Sequence, residues 1–537
     1  MEVRMANPQD QFGDSLIPDG KCDVVVVGLG PVGITLCNLL ASQGVVVEGY
    51  DAADEVHALP RAIGLDHEVM RVFQQIGAST AVSPALGEYR PSEYRSADGV
   101  LLRRLESPPE PHPLAWPPYQ TFLQPRLEEA LRVNARRFSN LRTHTGVEIV
   151  KLEHPAEPRV TLRNCATGAL IERRPRFVVG CDGANSFIRR GLGIELEDLD
   201  FDEPWLVVDL ILEDENARLP ETNIQFCDPA RPRTYVRGPG RLRRWEFMVM
   251  PGESPAEINR PERIQELLSP WLRPGQGRVW RSATYNFHAL VARQWRLGRV
   301  FLAGDACHMT PPFLAQGMTQ GIKDAANLAW KLAHVIDGGA EHVLDTYEAE
   351  RKPFVRDVIE ATKRLGQIIC ELEPEKARAR DAEMIATMAA GKGIQIRQNL
   401  FPPIRHGLVD ATDGSVNPGT GEPCPQPWVE GPAGRLRLDD AIPGGFRLLI
   451  AQAADASPDL LRLARRTGVA VHHIAQDHSH PSPLVEQHGV FAAWLAEKGA
   501  VAALVRPDHL VFGTAATIDD AKRLLEKLHA RLSGTCH

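Results

Sequence analysis

Three short clusters hold the residues whose types and spacing could do chemistry. The first is Gly28-Leu29-Gly30-Pro31-Val32-Gly33, which follows the apolar run Val24 to Val27 and opens a helical pattern through Leu40. A second apolar run, Val45 to Val47, leads to Asp51, 18 positions beyond Gly33. In that context GxGxxG is a dinucleotide-binding turn. Gly28 permits the tight turn, Gly30 lets backbone approach a pyrophosphate, and Gly33 lets helix pack on strand. The helix N-terminus begins at Pro31, which has no N–H of its own, and offers the unpaired N–H groups that follow from Val32 onward to the phosphates. Asp51 would accept hydrogen bonds from a ribose 2′-hydroxyl, and its charge would repel a 2′-phosphate. This cluster does not separate NAD from FAD.

The second cluster ends the strand-like run Phe177 to Val179 with Gly180-Cys181-Asp182-Gly183-Ala184-Asn185-Ser186, followed by Arg189. The third follows Gly298 to Val300 and reads Leu302-Ala303-Gly304-Asp305-Ala306-Cys307-His308. Alone, either Asp-Gly or Gly-Asp is a helix cap or a turn. As an ordered triple, the clusters resemble the three fingerprints of the class A flavoprotein aromatic hydroxylases: GxGxxG, the DG motif and the GD motif. The resemblance implies FAD as cofactor. Asp305, beside Gly304, matches the residue that binds the ribityl chain, and a carboxylate suits a polyol because it accepts two hydroxyl hydrogen bonds. Asp182 matches the residue that helps hold the flavin pyrophosphate side and the nicotinamide donor. Arg61 and Gln124 match positions that touch FAD; taken alone, each reads as a solvated side chain.

Within that family the chain most resembles the branch of the hydroxyphenylpropionate hydroxylases. The match rests on Leu59-Pro60-Arg61-Ala62-Ile63-Gly64-Leu65-Asp66, on Arg244 to Glu253, on Asp324 with Asn327 to Leu332, and on Tyr347 to Arg351. It covers about residues 22 to 370. Two departures stand out. Asp51 replaces the commoner Glu, and the loop Pro311-Pro312-Phe313-Leu314-Ala315-Gln316-Gly317 lacks the tryptophan associated with that branch. The loop enters a helix at Gly317 and Met318 whose dipole would place partial positive charge near the flavin pyrimidine edge. Pro312 would close the flavin side of the ring pocket. Gln225, Tyr235 and Phe247 are the candidate ring contacts, although Phe247 in an alternating strand also reads as core. His308 is the candidate for taking a phenolic proton, and reads equally as a histidine bonded inside its own turn.

The implied activity consumes NAD(P)H and O2 and inserts one oxygen atom into a small phenolic ring beside an existing hydroxyl, through a C4a-hydroperoxyflavin. One fingerprint occupied by FAD leaves no second dinucleotide domain, so the nicotinamide docks transiently. A tailoring hydroxylase or epoxidase acting on a polyketide or heteroaromatic shares all these features. A non-enzymatic NAD-binding protein would leave Asp182 and Asp305 unexplained. Flavin-dependent halogenation is disfavoured, because no WxWxIP signature is present.

The elements that must position these residues fit a chain of 537 residues with 43% hydrophobic and 24% charged side chains, a soluble multi-domain composition. The fold class is α/β: a Rossmann-like FAD-binding domain with an inserted antiparallel β-sheet substrate domain, long helices, and a C-terminal thioredoxin-like α/β domain. A leader at 1–22 is followed by a discontinuous FAD-binding domain at 23–88, 113–200 and 296–398. The substrate sheet takes 89–112 and 201–295, including strands at Trp205 to Leu212, Ile224 to Cys227 and Trp245 to Met250. Long helices are expected at Met318 to Asp337 and Val343 to Cys370, and a proline- and glycine-rich linker at 399–434 precedes the C-terminal domain at 435–537. Nine scattered cysteines form no CxxC pair, which argues against a disulfide framework and a structural metal, and Cys536 is the only thiol past the linker. Without a resolving pair the last domain takes a packing role or an oligomer interface, the latter giving a homodimer. The net charge of -8 gives no reason to expect nucleic acid. No stretch approaches the roughly 20 apolar residues of a membrane span, so the expected location is the cytoplasm.

Overall fold

The computed structural model describes residues 22–412, 415–431, 434–442, 444–451, 456–477 and 484–534. Most of the expected leader and Cys536 lie outside them. A six-stranded sheet runs in the order Arg296–Leu297, Val300–Leu302, Phe177–Gly180, Val24–Val27, Val47–Tyr50, Leu141–His144, parallel except at the Arg296–Leu297 edge. Its four valines, Val24 to Val27, are buried on both faces, as a strand between helices requires. Val27 pairs with both Tyr50 and Gly180, and Gly180 with Leu302. The three clusters and Asp51 therefore leave the sheet side by side at the carboxyl ends of four adjacent strands, where open α/β sheets bind ligands.

A nine-stranded sheet follows the order His308–Met309, Gly277–Ala292, Leu196–Leu212, Leu242–Met248, Arg233–Arg237, Asn223–Cys227, Ser92–Ser96, Leu101–Glu106, Ile394–Ile396. The antiparallel expectation needs correction, because Asn223–Cys227 pairs with Ser92–Ser96 in parallel, as does Ile394–Ile396 with Leu101–Glu106. Both parallel pairs join segments far apart in sequence, where no hairpin forces the strands to reverse. One face of this sheet carries Leu206, Val208, Leu210, Tyr235, Trp245 and Phe247 in an apolar core with Ile258, Ile264 and Leu268 of the short helices Pro255–Ile258 and Pro261–Leu268. Because side chains alternate along a strand, the intervening residues face the other way, toward the first sheet.

The helix Gly317–Ile336 packs on Pro31–Ser42 and on Asp345–Ile369, and the latter also touches Asn223–Cys227 and Gly277–Ala292 of the nine-stranded sheet. The C-terminal unit has a four-stranded sheet in the order Ala470–Ile474, Arg447–Ala451, Ala502–Val505, Val511–Ala515, with the first pair parallel and the rest antiparallel. Its apolar core takes in Trp330 and Val343 from the preceding helical region, so it is docked on the rest of the molecule. The proline-rich stretch before it is packed rather than free: Leu408, Val409 and Cys424 are buried, and Gly421 N–H bonds Val511 O at 2.8 Å. Among the described residues no helix is long and apolar enough to cross a membrane.

Candidate active site

The glycine turn divides into positions the protein needs for itself and one it does not. Gly28 has φ of +91°, and a Cβ there would lie 2.5 Å from the Cys181 carbonyl oxygen; a Cβ on Gly33 would lie 1.9 Å from the Gly28 oxygen. Both hold the first cluster against the second. A Cβ on Gly30 would meet nothing within 4 Å, yet Gly30 lines a cavity of about 620 Å³. Bare backbone at a helix N-terminus, facing open space, is the cradle a pyrophosphate fits. Asp51 braces the turn, accepting the Leu29 N–H at 2.7 Å and the Ala53 N–H at 2.9 Å.

Asp182 caps the next turn, accepting the Ser186 hydroxyl at 2.6 Å and the Ile188 N–H at 3.1 Å, while its neighbours Cys181, Gly183 and Ala184 line the cavity. Asp305 faces the cavity directly. No hydrogen bond among the described residues engages its carboxylate, and desolvation raises its pKa although His308 and Arg61 pull it down. A carboxylate left without donors in a crevice fits a polyol that brings its own hydroxyls. Gln124 holds the opposite wall, its Oε1 accepting the Arg61 and Ala62 N–H groups at 2.8 Å each. Arg61, Pro31, Val32, Gly317 and Met318 also line this space. The residues present fit FAD along the crevice.

Pro312 lines the same cavity, in a loop that is firmly held. Ala315 adopts a left-handed φ of 47°, its N–H bonding Pro312 O at 2.7 Å, and Tyr119 and Arg397 both donate to Leu314 O. Phe313 packs edge-on against Phe201, Trp205 and Phe287, with centroids 5.8 to 6.2 Å away. Arg397, which no motif singles out, reaches this loop from beyond the second long helix and stacks on Tyr119 at 4.2 Å.

Two groups of sequence-based assignments are corrected. His308 is fully buried, does not line the cavity, and bonds Asp324 at 2.7 Å while stacking on Trp295. Asp324 also accepts the Gly304 N–H at 3.1 Å and Arg351 Nε at 2.8 Å. Burial would raise the Asp324 carboxyl, but His308 and Arg351 hold it below its ordinary value. His308 thus belongs to a buried network that fixes the GD turn from behind. Cys307, His308 and Asp324 bring ligand atoms within 4.8 Å of one another, but Arg351 already supplies the cation there.

Tyr235 and Phe247 are likewise displaced, by strand parity. Both lie in the core on the outer face of the sheet, Tyr235 against Trp245 at 5.0 Å. The cavity face is formed by residues of the opposite strand parity, Thr234, Val236, Arg244 and Glu246, and Gln225 also lines it. Thr234 donates to Gln225 Oε1 at 2.6 Å. Beside them, Asp209 is clamped by Arg244 at 2.7 Å and Arg281 at 3.1 Å, all three buried. The crevice of the parallel sheet and the polar face of the second sheet thus enclose one cavity, with the Pro312 loop between them.

Comparison with known proteins agrees with this layout. Residues 21–362 match the family model described as FAD binding domain, and residues 421–531 match the HcaD C-terminal domain. A protein of Rhodococcus jostii (strain RHA1) named "Probable NADH-specific resorcinol 4-hydroxylase" is 34% identical, covering 95% of each chain. A 3-(3-hydroxy-phenyl)propionate/3-hydroxycinnamic acid hydroxylase of Burkholderia cenocepacia (strain HI2424) is 32% identical over 91% of this chain and 93% of its own. Among solved structures, the flavin-dependent monooxygenase PieE in complex with FAD and substrate superposes with a TM-score of 0.80 at 22% identity, covering 97% of this chain and all of that one, which speaks for the fold. With the family model spanning the whole crevice, the chain belongs to the FAD-binding family of flavin-dependent aromatic hydroxylases, with FAD as its cofactor.

Proposed function

We propose that this enzyme inserts one atom of O2 into the ring of a small phenol, beside an existing hydroxyl. The observation that carries the reading is the single cavity of about 620 Å³ walled by the flavin crevice on one side and by the Gln225, Thr234, Arg244 and Glu246 face on the other. Relatives named for resorcinol and for 3-hydroxyphenylpropionate support a hydroxylated ring as substrate class.

Bound FAD supplies the redox and oxygen-activating chemistry. The chain's residues bind, orient and exclude water. Asp305 accepts ribityl hydroxyls, the Gly30 turn and Asp51 hold the pyrophosphate and adenosine ribose, and Pro312 with Phe313 closes the ring pocket. Asp182 stiffens the turn beside them. The C-terminal unit, whose sheet order suits a thioredoxin-like fold, serves packing; Cys536, the only thiol past the linker, lies outside the described residues.

A panel of phenols screened for stimulated NADH and NADPH oxidation, with products identified by mass, tests the substrate class. Anaerobic stopped-flow tests gating: reduction should accelerate at least about tenfold when a phenol binds, about 1.4 kcal/mol off that barrier. No hydroxylated product from any phenol, with turnover of a polycyclic or heteroaromatic compound instead, would overturn the reading.

A further inference from the structure

Glu246 sits near the middle of the cavity face, paired across the sheet with Val207 on one side and Thr234 on the other. It lines the cavity and is only 7% exposed. No hydrogen bond or ion pair among the described residues engages its carboxylate. A carboxylate withdrawn from water without a donor is unfavourable, and is kept where a ligand completes it.

The surrounding charges are already committed. Arg244 donates to Asp209 through Nε and Nη2, and to the Arg61 and Pro60 carbonyls. Arg281 donates to Asp209, Pro60 O and Tyr285. Thr234 is spent on Gln225. The two arginines and one aspartate leave one positive charge uncompensated beside Glu246. His57, Arg61, His288 and Arg397 are the further basic groups on the cavity wall, Tyr89, Tyr119 and Tyr285 are its phenols, and Asp305 is the other acid.

Building on the phenol reading above, we propose that Glu246 is the catalytic base. The ring hydroxyl docks on its carboxylate, the phenolic O–H bond breaks, and the proton forms a new O–H bond on Glu246. The electron pair stays on the ring oxygen as phenolate. One proton moves and no electron does, so the negative charge passes from Glu246 to the ring within reach of the same arginine pair. Burial lifts the Glu246 carboxyl to about 7, against the pull of Arg244, which is where a base working near neutral pH is most effective.

The test uses the FAD-loaded enzyme with 4-nitrophenol as an optical probe of ionisation. The wild type should bind the probe as phenolate below the probe's own solution pKa. In Glu246→Gln the bound-probe midpoint should rise by at least one pH unit, a tenfold change, and the acid limb of kcat/KM should disappear. Glu246→Asp should restore both in part. An unchanged midpoint and acid limb in Glu246→Gln, with FAD bound and phenol still hydroxylated, overturns the proposal while sparing the phenol reading. If Glu246→Gln does not retain FAD, wild type binding the probe only as the neutral phenol between about pH 6 and 9 overturns it instead. Absence of any phenol turnover by the wild type is the separate failure that removes the parent reading.

Discussion

The carboxylate of Glu350, on the helix Asp345–Ile369, meets the guanidinium of Arg506 in the C-terminal unit at 2.7 Å, and neither side chain is exposed. Lys331 approaches the same oxygen at 2.8 Å, Asn327 donates to it at 2.7 Å, and the Leu408 N–H bonds the other oxygen at 2.8 Å. Arg506 is shared with Asp508 and with the Leu408 carbonyl. Long helices, linker and last unit are therefore joined through one buried ionic knot.

Arg506→Met should cost about 3 to 5 kcal/mol, because removing one partner of a buried pair leaves charge uncompensated. Denaturant unfolding of the holoenzyme measures it. A loss under about 1 kcal/mol would show that Lys331 alone suffices for Glu350.

Acid should loosen the same junction. Burial works against the Glu350 anion, but Arg506 and Lys331 hold its carboxyl down to about 2, against an ordinary 4.5. The folded value lies below the unfolded one, so the stabilisation is complete above about 4.5 and is lost as pH falls toward 2. Trp330, whose ring lies 5.5 Å from the Arg506 guanidinium, should report the change by fluorescence. Arg506→Met should flatten that acid dependence; an equal slope in both proteins would place the acid lability elsewhere.

Asp305→Ala should lower FAD affinity roughly ten- to hundredfold, since losing a hydrogen bond to a charged group costs about 1.5 to 3 kcal/mol. Equilibrium dialysis against FAD is the measurement. Full retention would remove the ribityl assignment.

The glycine turn predicts a split between folding and binding. Gly30→Ala should keep the apoprotein's melting temperature while weakening FAD, because its Cβ meets only the cavity and its φ of -65° suits any residue. Gly28→Ala should destabilise the apoprotein itself, having both a left-handed backbone and a carbonyl in the way. Equal melting losses in the two variants would mean that Gly30 also serves packing.

The crevice was legible in the sequence because it is built from local residue types: glycines where backbone closes on backbone or faces open space, and an acid beside each turn, each after an apolar strand. The ring pocket was not, because it depends on which way a strand faces. In Leu242–Met248 the rule that aromatic residues point inward does place Trp245 and Phe247 in a core, but that core is the outer one. Arg244 and Glu246, which pattern alone assigns to solvent, face the cavity instead. The charged pair at alternate positions was the available signal. His308 shows a second limit: adjacency to the GD motif implied nearness to the flavin, whereas the turn rotates its ring back onto Asp324, 16 residues further on. The long strand Gly277–Ala292 went unread because polar residues interrupt most of its length, and Arg281 went with it.

The sheet that carries the pocket separates two kinds of tolerance. Its outer side is a close-packed layer answerable to stability, while its inner side presents alternate residues whose replacement changes what the cavity accepts. A lineage, or an engineer, can therefore rewrite Gln225, Thr234 and Val236 one at a time to admit a different ring, leaving Tyr235 and Trp245 to keep the domain folded. Insertion of a single residue within Arg233–Arg237 would instead exchange the two sides at once, so substrate range in this architecture is expected to drift by substitution and not by changes of length.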